Sequence, residues 1–132
     1  MKYFTIAELC RSNTADRLGI NNKCNQEHVS NLTALVDNVL DPLREAYGKP
    51  ITVNSGYRCP ALNKAVKGAA SSQHMTGQAA DIDTGDRQQN KLLFEYIRKA
   101  LPFDQLIDES NFAWVHVSYR ADGKNRNQVL KL

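Results

Sequence analysis

The sequence predicts an α+β protein of one domain, residues 1–132, with a small antiparallel sheet packed against helices. Three observations lead there. Gln26 to Tyr47 carries the strongest helical period of the chain. Gln78 to Asp83 alternates with period two, as a strand does. Phe103–Ile107 and Ala113–Tyr119 flank the polar stretch Asp108-Glu109-Ser110-Asn111, which is the pattern of an antiparallel hairpin. A chain of 132 residues can bury a core of useful size without disulfides or a structural metal.

In chain order, Thr5-Ile6-Ala7-Glu8 fits a capping box and predicts a short helix from Ile6 to Arg11. Asn13 to Lys23 reads as a polar connector with turn signals at Gly19 and Asn21-Asn22. In the long helix, Val29, Leu32, Val36, Val39, Leu40 and Leu43 form one apolar stripe. Pro42 lacks a backbone donor and should kink or split this helix near Asn38 to Leu40. His28, in the first turn, reads as a solvent-exposed histidine because no ligand-spaced partner is near it. Gly48-Lys49-Pro50 ends the helix, and Ile51-Thr52-Val53 has the β-branched makeup of a short strand. Asn54 to Arg58 is a loop, Pro60 to Val66 a short helix opened by proline, and Lys67 to Ser72 a loop. In the next strand Ala80 and Ile82 share one face, and Ala79, Asp81 and Asp83 the other. Asp86 caps a helix to about Ala100, with Leu92, Leu93, Tyr96, Ile97 and Ala100 as its expected buried stripe. In the last hairpin strand Val115 and Val117 point one way, and Trp114, His116 and Ser118 the other. Ala121 to Gln128 is a polar turn, after which Val129-Leu130 adds a short edge.

The apolar fraction of 42% and the charged fraction of 23% are those of an ordinary globular protein and exclude disordered and fibrous classes. The net charge of +3 comes without a Lys/Arg run interleaved with aromatics, so nucleic acid is not an expected partner. No stretch approaches the roughly 20 apolar residues of a membrane helix, so no membrane insertion is expected. Met1 to Ile6 carries no secretory signal, which predicts synthesis in the cytoplasm and export or release by other means. Cys10, Cys24 and Cys59 are odd in number and form no C-x-x-C pair. They read as reduced thiols, with a Cys10–Cys24 bridge as the alternative.

The chemistry concentrates in Ser72 to Ile82. His74 and Asp81 stand seven residues apart, separated by Gly77 and two small alanines, and Trp114-Val115-His116-Val117-Ser118 offers a second imidazole. A catalytic zinc takes three protein ligands, commonly His and carboxylate, and leaves a fourth position for water. His74, Asp81 and His116 are therefore the expected ligands of one Zn2+ ion; the competing reading is a polar loop followed by a strand-end aspartate. Arg58 suits a bidentate grip on a carboxylate, although residue type alone equally allows a surface arginine.

Ser72-x-His74-x-x-Gly77-x-Ala79-x-Asp81 resembles the S-x-H-x-x-G-x-A-x-D pattern of the zinc D-alanyl-D-alanine carboxypeptidases and related peptidoglycan endopeptidases. Ser55-Gly56-Tyr57-Arg58 and Trp114 to Ser118 resemble the other two blocks of that family, in the same order, and the likeness runs from about Thr5 to Tyr119. Asp104-Gln105-Leu106-Ile107 is most similar to compact phage- and prophage-type members. The resemblance implies that His74, Asp81 and His116 hold the zinc and that Arg58 pairs with a substrate carboxylate or carbonyl oxygen; Ser72 and Gln73 can hydrogen-bond near the metal, and with Trp114 they are the further candidates for substrate contact. Many relatives carry a carboxylate three residues before the last histidine, where this chain has Ala113. Compact members often read Q-L-I-x-E, which Gln105 to Glu109 fits, so Glu109 is the expected general base and Asp108 the second choice. The implied function is zinc-dependent hydrolysis of peptide bonds in bacterial peptidoglycan, as a DD-carboxypeptidase or a lysin-like endopeptidase. The expected protein is a monomer acting at the cell wall after release through a phage-type pore. The loops Lys67–Ser71 and Ser110–Phe112 are expected to line its pocket. A non-catalytic wall-binding or phage structural module on the same zinc scaffold is the alternative, and a protein-directed zinc peptidase the third reading.

Overall fold

The computed structural model describes residues 1–132. Its elements are α1 (Ile6–Cys10), α2 (Asn13–Leu18), α3 (Gln26–Leu35), a π-helical turn (Val36–Leu40), α4 (Asp41–Tyr47), β1 (Thr52–Ser55), α5 (Pro60–Ala65), a 3-10 turn (Gln73–Thr76), β2 (Ala79–Asp83), α6 (Arg87–Ala100), β3 (Gln105–Glu109), β4 (Trp114–Ser118) and β5 (Gln128–Lys131). The sheet runs in the order β1-β2-β4-β3-β5. All neighbours are antiparallel except β3 and β5, which are parallel. The architecture is α+β, as the periodicities predict.

The expected long helix is interrupted where proline demands it. Pro42 can give no N–H to Asn38 and its ring crowds that carbonyl, so the chain widens into the π turn Val36–Leu40 before resuming as α4. Leu32, Leu35, Val36, Val39, Leu40 and Leu43 are all buried on one side of this composite rod. They meet Ala80, Ile82, Leu106, Val115 and Val117 from one face of the sheet, and α1 and α6 close the same core with Leu9, Leu93, Phe94 and Ile97. One face of the sheet is thus committed to the helices, which leaves the other for chemistry.

Four expectations are corrected. The connector after Arg11 contains a helix, α2, because Ser12 caps it by accepting from Ala15 N–H and Ala15 is buried; Gly19, at φ +68°, ends it. The thiols are not all reduced: Cys10 and Cys24 form a disulfide, since α1 and the segment after α2 bring their Cα atoms within 6.4 Å, and Cys59 alone stays free. On α6 the buried stripe is Asn90, Leu93, Phe94 and Ile97, whereas Leu92, Tyr96 and Ala100 are exposed. Asn90 belongs inside because its amide donates to Asp83 Oδ1 and to the Phe112 carbonyl, both at 2.9 Å, and accepts from Thr84 N–H at 2.8 Å. A polar residue that spans three segments can outrank an apolar one for a core position. His28 is half-buried rather than exposed: it completes the cap of α3 by accepting from Asn25 N–H at 3.1 Å, and it stacks on Tyr57 at 4.1 Å.

Candidate metal centre

Sheet register assembles the site. Asp81 on β2 lies opposite His116 on β4, which lies opposite Ile107 on β3, which lies opposite Leu130 on β5. Directly paired residues share a face, so this row runs across the side of the sheet away from the helices. Ser55 joins the row on β1 by way of a bulge: Val53 pairs with Ile82 and Ser55 with Asp81, which leaves Asn54 as the extra residue.

His74 reaches the row from the 3-10 turn. Ser72 caps that turn by accepting from His74 N–H at 3.2 Å, and Gly77, at φ +77°, ends it. A side chain at Gly77 would be strained by that angle and would also meet the His28 carbonyl at 2.8 Å. The chain then enters β2, so both ends of the seven-residue spacing converge. His74 Nε2 lies 3.2 Å from Asp81 Oδ1, and His116 Nδ1 lies 3.1 Å from the same oxygen. The three donor atoms all fall within 4.8 Å of one another.

A fit to zinc can be tested on these distances. A tetrahedral ion about 2.0–2.1 Å from each donor separates them by roughly 3.3–3.4 Å, close to the 3.2 and 3.1 Å from Asp81 Oδ1 to the two imidazoles. The tautomer also fits. His74 Nδ1 lies 2.7 Å from the Gly56 carbonyl, an acceptor only, so the proton sits on Nδ1 and Nε2 presents its lone pair. Gly56 is held by close approach, since a Cβ there would lie 2.1 Å from the Leu9 carbonyl, the same oxygen that accepts from Tyr57 N–H. Two neutral imidazoles and one carboxylate form the donor set of a catalytic zinc, and one coordination position stays open. Burial would push the Asp81 carboxyl up, yet the adjoining His116 and His74 imidazoles hold it well below the usual carboxylate range.

The row forms the floor of a cleft of about 560 Å³. Arg58, Ser72, Gln73, Trp114 and Glu109, all expected at the site, line it. Arg58 donates from its backbone to the His74 carbonyl at 3.0 Å and from its guanidinium to Ser72 Oγ at 3.3 Å, while its Nε is buried without a partner. Burial lowers its pKa, and the charge of Asp81 partly offsets this. Asn22 braces the same segment: its amide donates to the Cys10 and Tyr57 carbonyls at 2.9 and 3.0 Å and accepts from Cys59 N–H at 2.7 Å.

The two candidate bases part company. Glu109 lies opposite Trp114, on the cleft face and one step diagonal from His116. Burial and the charge of Asp81 push its carboxyl up, with the two imidazoles opposing. Asp108 pairs with Val115 on the core face, is buried, and accepts from Phe112 N–H at 2.6 Å. Ala113 lies off the cleft, beside Asp83 and Asn90 in a separate small recess, so a carboxylate at that position would not line the cleft.

The loop Lys67–Ser71 contributes Lys67, Gly68, Ala69 and Ser71 to the cleft, but Ser110–Phe112 does not reach it. Three consecutive left-handed residues at 110–112, with φ of 52°, 56° and 61°, turn that loop away toward α6, where Arg87 grips its carbonyls. In its place the C-terminal segment supplies Arg126, Leu130 and Leu132. Nothing local in the sequence marks these three, because only parallel pairing of β5 with β3 brings them in.

Over 76 aligned residues the chain is 41% identical to a zinc D-Ala-D-Ala carboxypeptidase of Streptomyces albus G. The alignment covers half of this chain and 30% of the relative, so it represents less than a third of that protein. A family model described as Peptidase M15 matches residues 2–118. That match spans nearly the whole fold and encloses His74, Asp81 and His116; the chain belongs to the peptidase M15 family.

Proposed function

We propose that the protein is a zinc peptidase that hydrolyses peptide bonds of bacterial peptidoglycan. The observation that carries this reading is the convergence of His74 Nε2, Asp81 Oδ1 and His116 Nδ1 in an open cleft, with the His74 tautomer set by the Gly56 carbonyl. A zinc ion held there supplies Lewis acidity and lowers the pKa of a water molecule toward neutrality. The chain's own residues do the rest. Arg58, its Nε without a partner, orients the substrate by gripping a carboxylate or carbonyl oxygen. Glu109 takes the proton of the attacking water on its carboxylate and delivers it to the nitrogen of the leaving amine. Trp114 supplies an apolar wall beside Glu109, and Ser72 and Gln73 hydrogen-bond near the metal row. Asp108 has no part in this scheme, because its carboxylate is spent on Phe112.

Removal of a terminal D-alanine is the favoured activity, since an arginine beside the metal suits a free C-terminal carboxylate and the aligned relative is named for that reaction. A second reading, endopeptidase action of a lysin type, is favoured by the continuation of the cleft past the metal row to Arg126 and Leu132, which gives a chain room on both sides. Release through a phage-type pore belongs with that second reading. Incubation with purified cell walls, followed by mass spectrometry of the soluble peptides, tests both. Loss of a single alanine supports the first and cleaved cross-links or stems the second. Intact walls with bound protein would replace both with the non-catalytic wall-binding module.

A further inference from the structure

Arg58 has a task in this scheme, but the cleft holds a second arginine that has none. Arg126 stands between the turn after Tyr119 and β5, and buried Asp104 holds it. Its Nε–H donates to Asp104 Oδ1 at 3.0 Å, its NH2 group to Oδ2 at 2.7 Å, and its backbone N–H to Oδ1 at 2.8 Å. Gln73, next to the metal ligand His74, donates to the same carboxylate at 2.8 Å. A guanidinium carries five N–H donors, and this fork engages two of them. The other three remain, and half of the side chain is exposed on the cleft. The cation is therefore positioned in advance, so that a ligand need not immobilise a free stem.

Register sets the distance. Asp104 precedes Ile107, the partner of His116, by three residues, roughly 10 Å of strand, and the Arg126 guanidinium bound to its carboxylate is set off from the metal row by a distance of that order. An extended peptide covers this in about three residues. Charge points the same way: Arg58, Lys67 and Arg126 line the cleft, whereas Glu109 is its one acidic side chain outside the ligand set.

We propose that Arg126 is a second anion-binding residue of the cleft and takes a substrate carboxylate about three residues from the bond that is cut. This rests on the proposed function for the position of that bond and for the peptidoglycan stem as the ligand. In a peptidoglycan stem cut before its last alanine, the group at that distance is the α-carboxylate of the γ-linked D-glutamate. The protein would then discriminate stems with a free carboxylate from stems in which it is an amide.

The test uses the stem pentapeptide L-Ala-γ-D-Glu-L-Lys-D-Ala-D-Ala and its analogue carrying a carboxamide on that D-Glu. Binding of each is measured by calorimetry to the zinc-loaded full chain bearing Glu109→Gln, in which turnover is slowed enough for binding to be read. The carboxylate form should bind about tenfold tighter or more, as a charge-assisted pair allows. Arg126→Gln should bring the ratio to near one, and Arg126→Lys, which keeps a cation beside Asp104, should give an intermediate ratio. A purely structural arginine would leave the ratio unmoved. Equal binding of the two peptides before any change at Arg126 overturns the proposal without relying on a variant that folds. A preference that survives both Arg126 substitutions also overturns it. Cleavage by the wild-type protein separates the two readings. Turnover of both peptides at equal efficiency retains the peptidase and removes this role for Arg126. Binding discrimination through Arg126 without turnover retains the role and removes the peptidase.

Discussion

The metal row and the Arg126 wall share one sheet face but are held by different means. Asp81 and His116 are paired neighbours on central strands, so backbone hydrogen bonds on both sides set their separation. His74 adds a turn closed at both ends and a carbonyl that locks its ring. Arg126 precedes the edge strand and depends on one buried carboxylate, Asp104, which also reaches the metal turn through Gln73. A row built from register tolerates change in its surroundings; a wall hung on one side chain follows the state of that side chain. Four substitutions probe this contrast.

The largest effect is expected from His116→Ala. It removes one of three donors, so zinc affinity should fall by well over 100-fold, beyond the about 10–100-fold typical of outer partners. Metal analysis after dialysis measures it, and stoichiometric zinc in the variant would remove His116 from the ligand set. Glu109→Gln should cost about 10²–10⁴-fold in hydrolysis while zinc stays bound, because the carboxylate lies on the cleft face but outside the ligand cluster. Wild-type turnover in this variant would place the base elsewhere.

Gly56→Ala tests whether the row is as robust as its register suggests. The new Cβ would need the space of the Leu9 carbonyl, so the Gly56 segment must shift and its carbonyl must leave His74 Nδ1. Zinc affinity should drop about 10–100-fold with every ligand intact. A zinc titration alongside a wild-type control reads this directly, and an unchanged affinity would show that the carbonyl is not needed to orient the ring.

The smallest effect belongs to the wall. Hydrogen bonds from Arg126 hold the Asp104 carboxyl down at about 2 against an ordinary 3.8. A depressed pKa means that the ionised form is bound more tightly by the folded state. Its stabilisation is full above pH about 4 and is lost as pH falls toward 2. In Asp104→Asn this part of the acid limb should vanish, leaving a shallower fall in Tm between pH 4 and 2. Parallel curves for the two proteins would mean that Asp104 contributes nothing to acid sensitivity.

Legibility varied along the chain for identifiable reasons. The α3–α4 rod is readable down to its interruption, because Pro42 acts on the Asn38 carbonyl four residues back. The strands at Ala79 and Trp114 were readable because alternation is local. The stripe of α6 departs from its helical period, since the burial of Asn90 depends on Thr84, Asp83 and Phe112, none of which that period contains. Helix α2 was hidden by its brevity and polarity, and only the burial of Ala15 commits it to the fold.

Spacing and residue type offered His74, Asp81 and His116 as a ligand set, because a metal ligand must be one of few side chains, and the three ordered motifs of the family resemblance set it above a polar loop with a strand-end aspartate. Glu109 over Asp108 could not be decided that way. Adjacent strand residues face opposite sides, and only the pairing of β3 with β4 says which side holds the cleft. The Gly56 clamp on His74 and the Arg126 wall were likewise beyond a linear reading, and the Cys10–Cys24 bridge, open there as an alternative, is decided only by the fold. Each joins residues distant along the chain or set by the path between them. Which atoms can do chemistry follows from residue type alone; which of them face the same cleft follows from packing, because facing is a property of packed surfaces and not of order along a chain.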